Sequence, residues 1–156
     1  LGNGNHDRRA RDEDDVQARL RVSADSEALG KVESFIAKFA ARQGLGTDDT
    51  ARLAIVLDEL LSNVMKHGGQ DRSRPGTAEI ALGLDGTRLT IEFVDSGPPF
   101  DPFVQPTPDL ALPLEERPVG GLGIHILRSL VEEARYQRLD GCNVIQLTRQ
   151  VSLGER

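Results

Sequence analysis

Between residues 47 and 67 the apolar side chains Leu53, Val56, Leu57, Leu60, Leu61 and Val64 fall at i, i+3, i+4, i+7, i+8 and i+11, the spacing that gathers one face of an α-helix. Thr47 or Asp48 is placed to cap it, and His67-Gly68-Gly69 to end it. Upstream, Leu29, Val32, Phe35, Ile36, Phe39 and Ala40 predict another helix, capped by Asp25 or Ser26 and stopped at Gly44 and Gly46. The pattern changes to period two at Val16, Ala18, Leu20 and Val22, which suits a short edge strand with one face in a core. Two further β-type runs, Ala78 to Leu84 and Arg88 to Val94, flank Asp85-Gly86-Thr87, a turn in which glycine supplies positive φ. Residues 97 to 118 hold seven of the eight prolines, which excludes a regular helix through most of the segment and predicts a long surface loop. A glycine-rich start, "VGGLGIHILRSLV", then predicts a third helix, followed by a strand over Ala134 to Leu139, the turn Asp140-Gly141, and a strand over Asn143 to Leu147. This order predicts an α/β (α+β) two-layer sandwich: one mixed, mainly antiparallel sheet with helices packed on one face.

Composition narrows the setting. A chain of 156 residues with 38% hydrophobic content builds one core without disulfides, and it contains no internal repeat. Residues 1–15 carry almost no apolar side chain and read as a flexible tail or linker, leaving 16–156 as the folded domain. A formal charge of -6 argues against a nucleic-acid surface or anionic lipid and favours a protein partner or a small ligand. Cys142 stands alone, and neither a long apolar run nor a signal-peptide core occurs, so the cytoplasm is the expected compartment. The chain begins at Leu1 rather than Met, which leaves open a processed protein or part of a longer polypeptide.

The helix over 47–67 also carries Glu59, Asn63 and His67 at every fourth position, one polar stripe beside the apolar one. Each chemical feature has a plain reading when taken singly. Glu59 and Asn63 suit a solvated helix face, Asp95-Ser96-Gly97 a turn, Gly120-Gly121-Leu122-Gly123 a flexible junction, and His67 the negative end of a helix dipole. Together they suit a nucleotide site. A helix that begins in glycines offers free N–H groups and a positive dipole end to phosphates. The amide oxygen of Asn63 is a suitable Mg²⁺ ligand, and Glu59, one turn away, could take a proton from an attacking hydroxyl. Asp95 at a strand end, with Gly97 allowing close approach, can accept a hydrogen bond from an exocyclic amine. No His/Cys cluster has metal-ligand spacing.

These motifs resemble the ATP-binding superfamily shared by gyrase, histidine kinases, mismatch-repair ATPases and the heat-shock chaperone (GHKL, Bergerat fold). "DELLSNVMKHGG" looks like its N box, "VDSGPPFDP" like its first glycine box and "RPVGGLGIHILRSLVEEARYQR" like its second, and the resemblance runs from Val16 to roughly Val151. Within the superfamily, the compact size, the His-Gly-Gly after the N box and "GGLGIHIL" are most similar to bacterial anti-sigma-factor serine/threonine protein kinases. That resemblance implies a histidine-kinase-like ATPase fold that binds ATP and Mg²⁺. It implies phosphorylation of a serine on a small STAS-type anti-sigma-factor antagonist, sequestration of a sigma factor, and a homodimer formed through the first strand and helix. By position it implies Glu59 as general base, Asn63 as magnesium ligand, Asp95 as the adenine-reading acid and Gly97 as its supporting glycine. Gly121, Leu122 and Gly123 become the nucleotide-binding turn, with the two glycines on phosphate. His67 falls near the phosphate end, Asn143 close to the base, and residues 98–118 become the lid. The lid is shorter and richer in proline than in histidine kinases, the second box reads Val-Gly-Gly-Leu-Gly rather than Gly-x-Gly-Leu-Gly, and residues 1–15 are too few and too polar for a phosphoacceptor helical hairpin. The alternatives are a non-catalytic, ATP-dependent binding module, or the catalytic domain of a larger histidine kinase or multidomain regulator.

Overall fold

The structure, a computed structural model, describes residues 17–67, 76–104, 109–116 and 122–154. Its elements follow the predicted order: β1 (Ala18–Ser23), α1 (Ala28–Gln43), α2 (Thr47–His67), β2 (Thr77–Asp85), β3 (Arg88–Asp95), α3 (Leu122–Leu130), β4 (Glu133–Leu139) and β5 (Cys142–Gln150). The strands form one sheet in the order β1-β2-β3-β5-β4. All four pairings are antiparallel, so the mainly antiparallel sheet expected from the sequence has no parallel pair among the described residues. Both tight hairpins rest on positive φ, at Gly86 (56°) for β2–β3 and at Asp140 (48°) and Gly141 (78°) for β4–β5.

Period two and register together select the buried face of the sheet. Ile80, Phe93 and Ile145 stand opposite one another across β2, β3 and β5, and Leu82, Ile91 and Leu147 form the next row. Both rows are buried in one core with Val32, Ile36 and Phe39 of α1, Leu53, Leu57 and Leu60 of α2, and Leu127 of α3. The row beyond Phe93 and Ile145 on the same face pairs Asp95 with Asn143. The alternation that fills the core with hydrocarbon therefore also aims these two polar side chains at the helix layer.

Local details differ from the expectations. The N-cap of α1 is Glu27, with no side-chain cap; Asp25 instead accepts the Glu27 N–H (2.9 Å) just ahead of the helix. Leu29 shares the angle of the apolar stripe but is 44% exposed, because Ala28 takes the buried position of the first turn. Val16, Gly68 and Gly69 lie outside the described residues. Residues 97–104 and 109–116 contain only two short 3-10 turns, in keeping with their prolines. No helix among the described residues is long and apolar enough to cross a membrane.

A second acid, overlooked in the sequence, ties the layers together. Asp49 in the first turn of α2 is 4% exposed and accepts the Ser152 N–H (2.7 Å), a bond from Arg52 (3.2 Å) and another from Arg149 (3.2 Å). Arg149 also donates to the Leu130 carbonyl at the end of α3. The start of α2 is thus fastened to the ends of β5 and α3. Burial alone would raise the Asp49 pKa, but the Ser152 N–H, the Arg52 bond and the Arg149 charge outweigh it and hold the group below its ordinary value of 3.8. A depressed folded pKa contributes stability above the unfolded value, and that stability is lost as pH falls through the folded one. Asp49→Ala should cost about 2–4 kcal/mol at neutral pH, since it strands Arg149 and the Ser152 N–H. The penalty should shrink below pH 4, and equal losses in urea melts at pH 7 and pH 3 would contradict this account.

Candidate functional site

The fastening at Asp49 runs α3 back along α2, so the first turn of α3 meets the C-terminal half of α2, where the polar stripe lies. A Cβ built on Gly123 would overlap the Glu59 carboxylate, which shows how closely the start of α3 approaches this side chain. Only glycine at 123 leaves room for Glu59 in this position. One turn further along α2, the Asn63 amide nitrogen is buried and has no hydrogen-bond partner among the described residues. An unpaired buried amide is costly and calls for an explanation, of which a ligand is one. His67, another turn on, stacks on Phe100 with ring centroids 4.5 Å apart and planes at 18°.

Opposite this helix stands the end of the sheet. Asp95 is 8% exposed, and its Oδ1 accepts from the Gly97 N–H (2.9 Å) and from the Asn143 amide (3.0 Å). Neither bond uses Oδ2, which remains an acceptor. Asn63, His67, Asp95, Gly97 and Asn143 line a single pocket with Phe93 and Ile145 at its apolar base and Pro98, Phe100 and Pro102 on the far wall. With Phe100 laid against His67, the pocket has room for about one water molecule.

Of the residues proposed from sequence, Asn63, His67, Asp95, Gly97 and Asn143 therefore converge, and Glu59 and Gly123 meet beside them. Leu122 opens α3 as the first residue of the helix, while Gly121 lies outside the described residues. The segment expected to serve as a lid over 98–118 is pinned at its beginning: Pro98 O accepts from the Asn143 amide (2.8 Å), the Phe100 N–H donates to Asn143 Oδ1 (3.1 Å), and Arg138 donates to Gly97 O (2.7 Å). Residues 97–100 are thus a fixed wall. Residues 105–108 and 117–118 lie outside the described residues. Phe100, Tyr136 and Arg138 were not singled out in the sequence. The proline-rich context of Phe100 and the alternation in β4 that brings Tyr136 and Arg138 to the pocket side were the available signals. Among the described residues no group of three His, Cys, Asp or Glu side chains could hold a metal, so a cation here would depend on the Asn63 amide and the ligand's own oxygens.

A sequence profile of the histidine kinase-like ATPase domain matches residues 22–149. The chain belongs to this family. Among its relatives, the serine-protein kinases RsbW of Bacillus velezensis and Bacillus subtilis are each 28% identical over 142 residues, covering 88% of this chain and 86% of theirs. The serine-protein kinase RsbW of Bacillus thuringiensis is 27% identical over 135 residues. Among solved structures, the RsbU and RsbW domains of Rv1364c from Mycobacterium tuberculosis match with a TM-score of 0.58 at 21% identity, covering 90% of this chain and 34% of that one. The chain thus spans about a third of that solved two-domain chain. The catalytic domain of histidine kinase ThkA matches with a TM-score of 0.50 at 17% identity. These likenesses establish a histidine-kinase-like ATPase fold. The pocket described above lies between the helix bearing Asn63 and the strand end bearing Asp95.

Proposed function

We propose that the chain binds Mg²⁺ and ATP in this pocket and transfers the γ-phosphoryl group to a serine of a small anti-sigma-factor antagonist of the STAS type. The observation that carries the reading is the Asn63 amide nitrogen, a buried donor without a partner among the described residues, at a pocket that Asp95 also lines. A magnesium ion held there would supply positive charge against the phosphate oxygens. In this reading Asp95 Oδ2 accepts the base amine, and the backbone at the start of α3 faces the phosphates. Asn63 would hold the cation through its carbonyl oxygen. Glu59, against Gly123, would accept the serine hydroxyl proton as the serine oxygen bonds to the γ-phosphorus and the bond from that phosphorus to ADP breaks, releasing ADP. The relatives named as serine-protein kinases support serine as the acceptor. Binding of the antagonist and, in its phosphorylated state, of a sigma factor would make the kinase a regulator of transcription in the cytoplasm, with a homodimer as the working assembly.

Incubation with γ-labelled ATP, Mg²⁺ and antagonist proteins encoded near the gene tests the reaction. Label on a serine of one antagonist is the expected result, and ATP binding without transfer to any of them would favour a passive binding module. Nucleotide should also stabilise the fold, because a ligand bound only to the native state raises stability by RT ln(1 + [L]/Kd), about 2.7 kcal/mol at one hundred times Kd. For a domain of this size that is roughly 5–10 °C in Tm. A melt unmoved by saturating Mg·ATP would remove the nucleotide from the proposal.

A further inference from the structure

Tyr136 is the only tyrosine of the chain and is not among the residues lining the pocket, yet its hydroxyl reaches an amide that is. That amide, Asn143, is 2% exposed and has two N–H donors and two acceptor lone pairs to satisfy. Its nitrogen donates to Asp95 Oδ1 (3.0 Å) and Pro98 O (2.8 Å), while its oxygen accepts from the Phe100 N–H (3.1 Å) and the Tyr136 hydroxyl (2.8 Å). All four capacities are used, so Asn143 has nothing left to offer a ligand. Turning the amide over would set its nitrogen against the Phe100 N–H and its oxygen against a carboxylate and a carbonyl. The orientation is therefore locked. So is that of Asp95, which lines the pocket and whose Oδ1 is filled by Asn143 and by the Gly97 N–H (2.9 Å), neither bond using Oδ2.

We propose that Tyr136 and Asn143 are positioning residues that turn Asp95 so that its second carboxylate oxygen meets the exocyclic amine of a purine base, without touching the nucleotide themselves. This rests on the nucleotide reading of the pocket and gives Asn143, which the resemblance puts close to the base, a task performed through Asp95. It also accounts for the make-up of β4, an exposed edge strand that places Tyr136 and Arg138 opposite Ile145 and Asn143 on the pocket side. The edge strand thereby helps to set base selectivity.

The test compares ATP with purine riboside triphosphate, which carries hydrogen in place of the amine, by calorimetry in the presence of Mg²⁺. The wild-type protein should prefer ATP. Tyr136→Phe should cut that preference roughly 3-fold and Asn143→Ala roughly 10-fold, both through ATP alone, as expected when a buried hydrogen-bond partner is removed. Tyr136→Phe deletes one oxygen from a half-buried side chain, so it decides the matter even if Asn143→Ala does not fold. A wild-type protein that binds neither nucleotide overturns the nucleotide reading itself, and one that binds both equally overturns the role of Asp95. An unchanged preference in Tyr136→Phe, or equal losses for ATP and the analogue, overturns the inference alone. In the nucleotide-free protein, Asn143→Ala should also speed hydrogen exchange at the Phe100 amide, and unaltered protection there would count against the network.

Discussion

Glu59→Gln should leave ATP affinity and partner binding intact while phosphoryl transfer to serine falls by ~10²-fold or more, the usual scale for removing a general base. The substitution keeps the length and hydrogen-bonding reach of the side chain, so its packing against Gly123 should survive. Asn63→Ala, one turn away on the same face, should behave differently. It removes the proposed metal ligand and should weaken Mg·ATP binding itself, whereas the Glu59 variant should still bind nucleotide and antagonist as a stalled complex. Measuring ATP binding, antagonist binding and antagonist phosphorylation on both variants separates the roles. If Glu59→Gln transfers phosphate at the wild-type rate, Glu59 is not the base, and the polar stripe of α2 is a scaffold for magnesium and phosphate.

The elements and their order were legible because each is written in local periodicity. The stripe from Leu53 to Val64 is buried along its whole length, and the two turns with glycine at positive φ divide the strands where expected. Asp95 was legible for the same reason, since it ends a clean β run. What the sequence hid depends on contacts between distant residues. Asp49 bonds Arg149 and Ser152, about a hundred positions away, and in the sequence it is one of four consecutive polar residues at a helix start. Leu29 fitted the helical period yet lies exposed, since period fixes an angle but not whether another layer covers that turn. Asn143 was visible as a polar residue beginning a strand, but the fate of its four hydrogen-bonding groups depends on Tyr136, Pro98 and Phe100 meeting it in space. The polar stripe Glu59, Asn63 and His67 could be seen, but the separation of its members could not. Glu59 meets α3, the Asn63 amide nitrogen is buried without a partner among the described residues, and His67 stacks on the wall after β3.

Asp95→Asn should lower ATP affinity by about 1–3 kcal/mol, roughly 5- to 150-fold, with little effect on stability. The hydrogen bonds around the site make this change sharper than a loss of charge. An amide at position 95 can keep its oxygen where Asp95 Oδ1 now accepts from the Gly97 N–H and the Asn143 amide, so both internal bonds persist. Those same bonds would then force its nitrogen into the place of Oδ2. The pocket would present a donor to the base amine, which is itself a donor, and the pair would be left unsatisfied in a confined, largely apolar space. Inosine triphosphate, with a carbonyl oxygen where ATP carries the amine, should be the better ligand of the variant and the poorer ligand of the wild-type protein. Calorimetry with both nucleotides on both proteins would show the crossing. Equal ATP affinity in wild type and variant would mean that Asp95 does not read the base, and the network of Asn143 and Tyr136 would then serve only to hold the wall at residues 97–100.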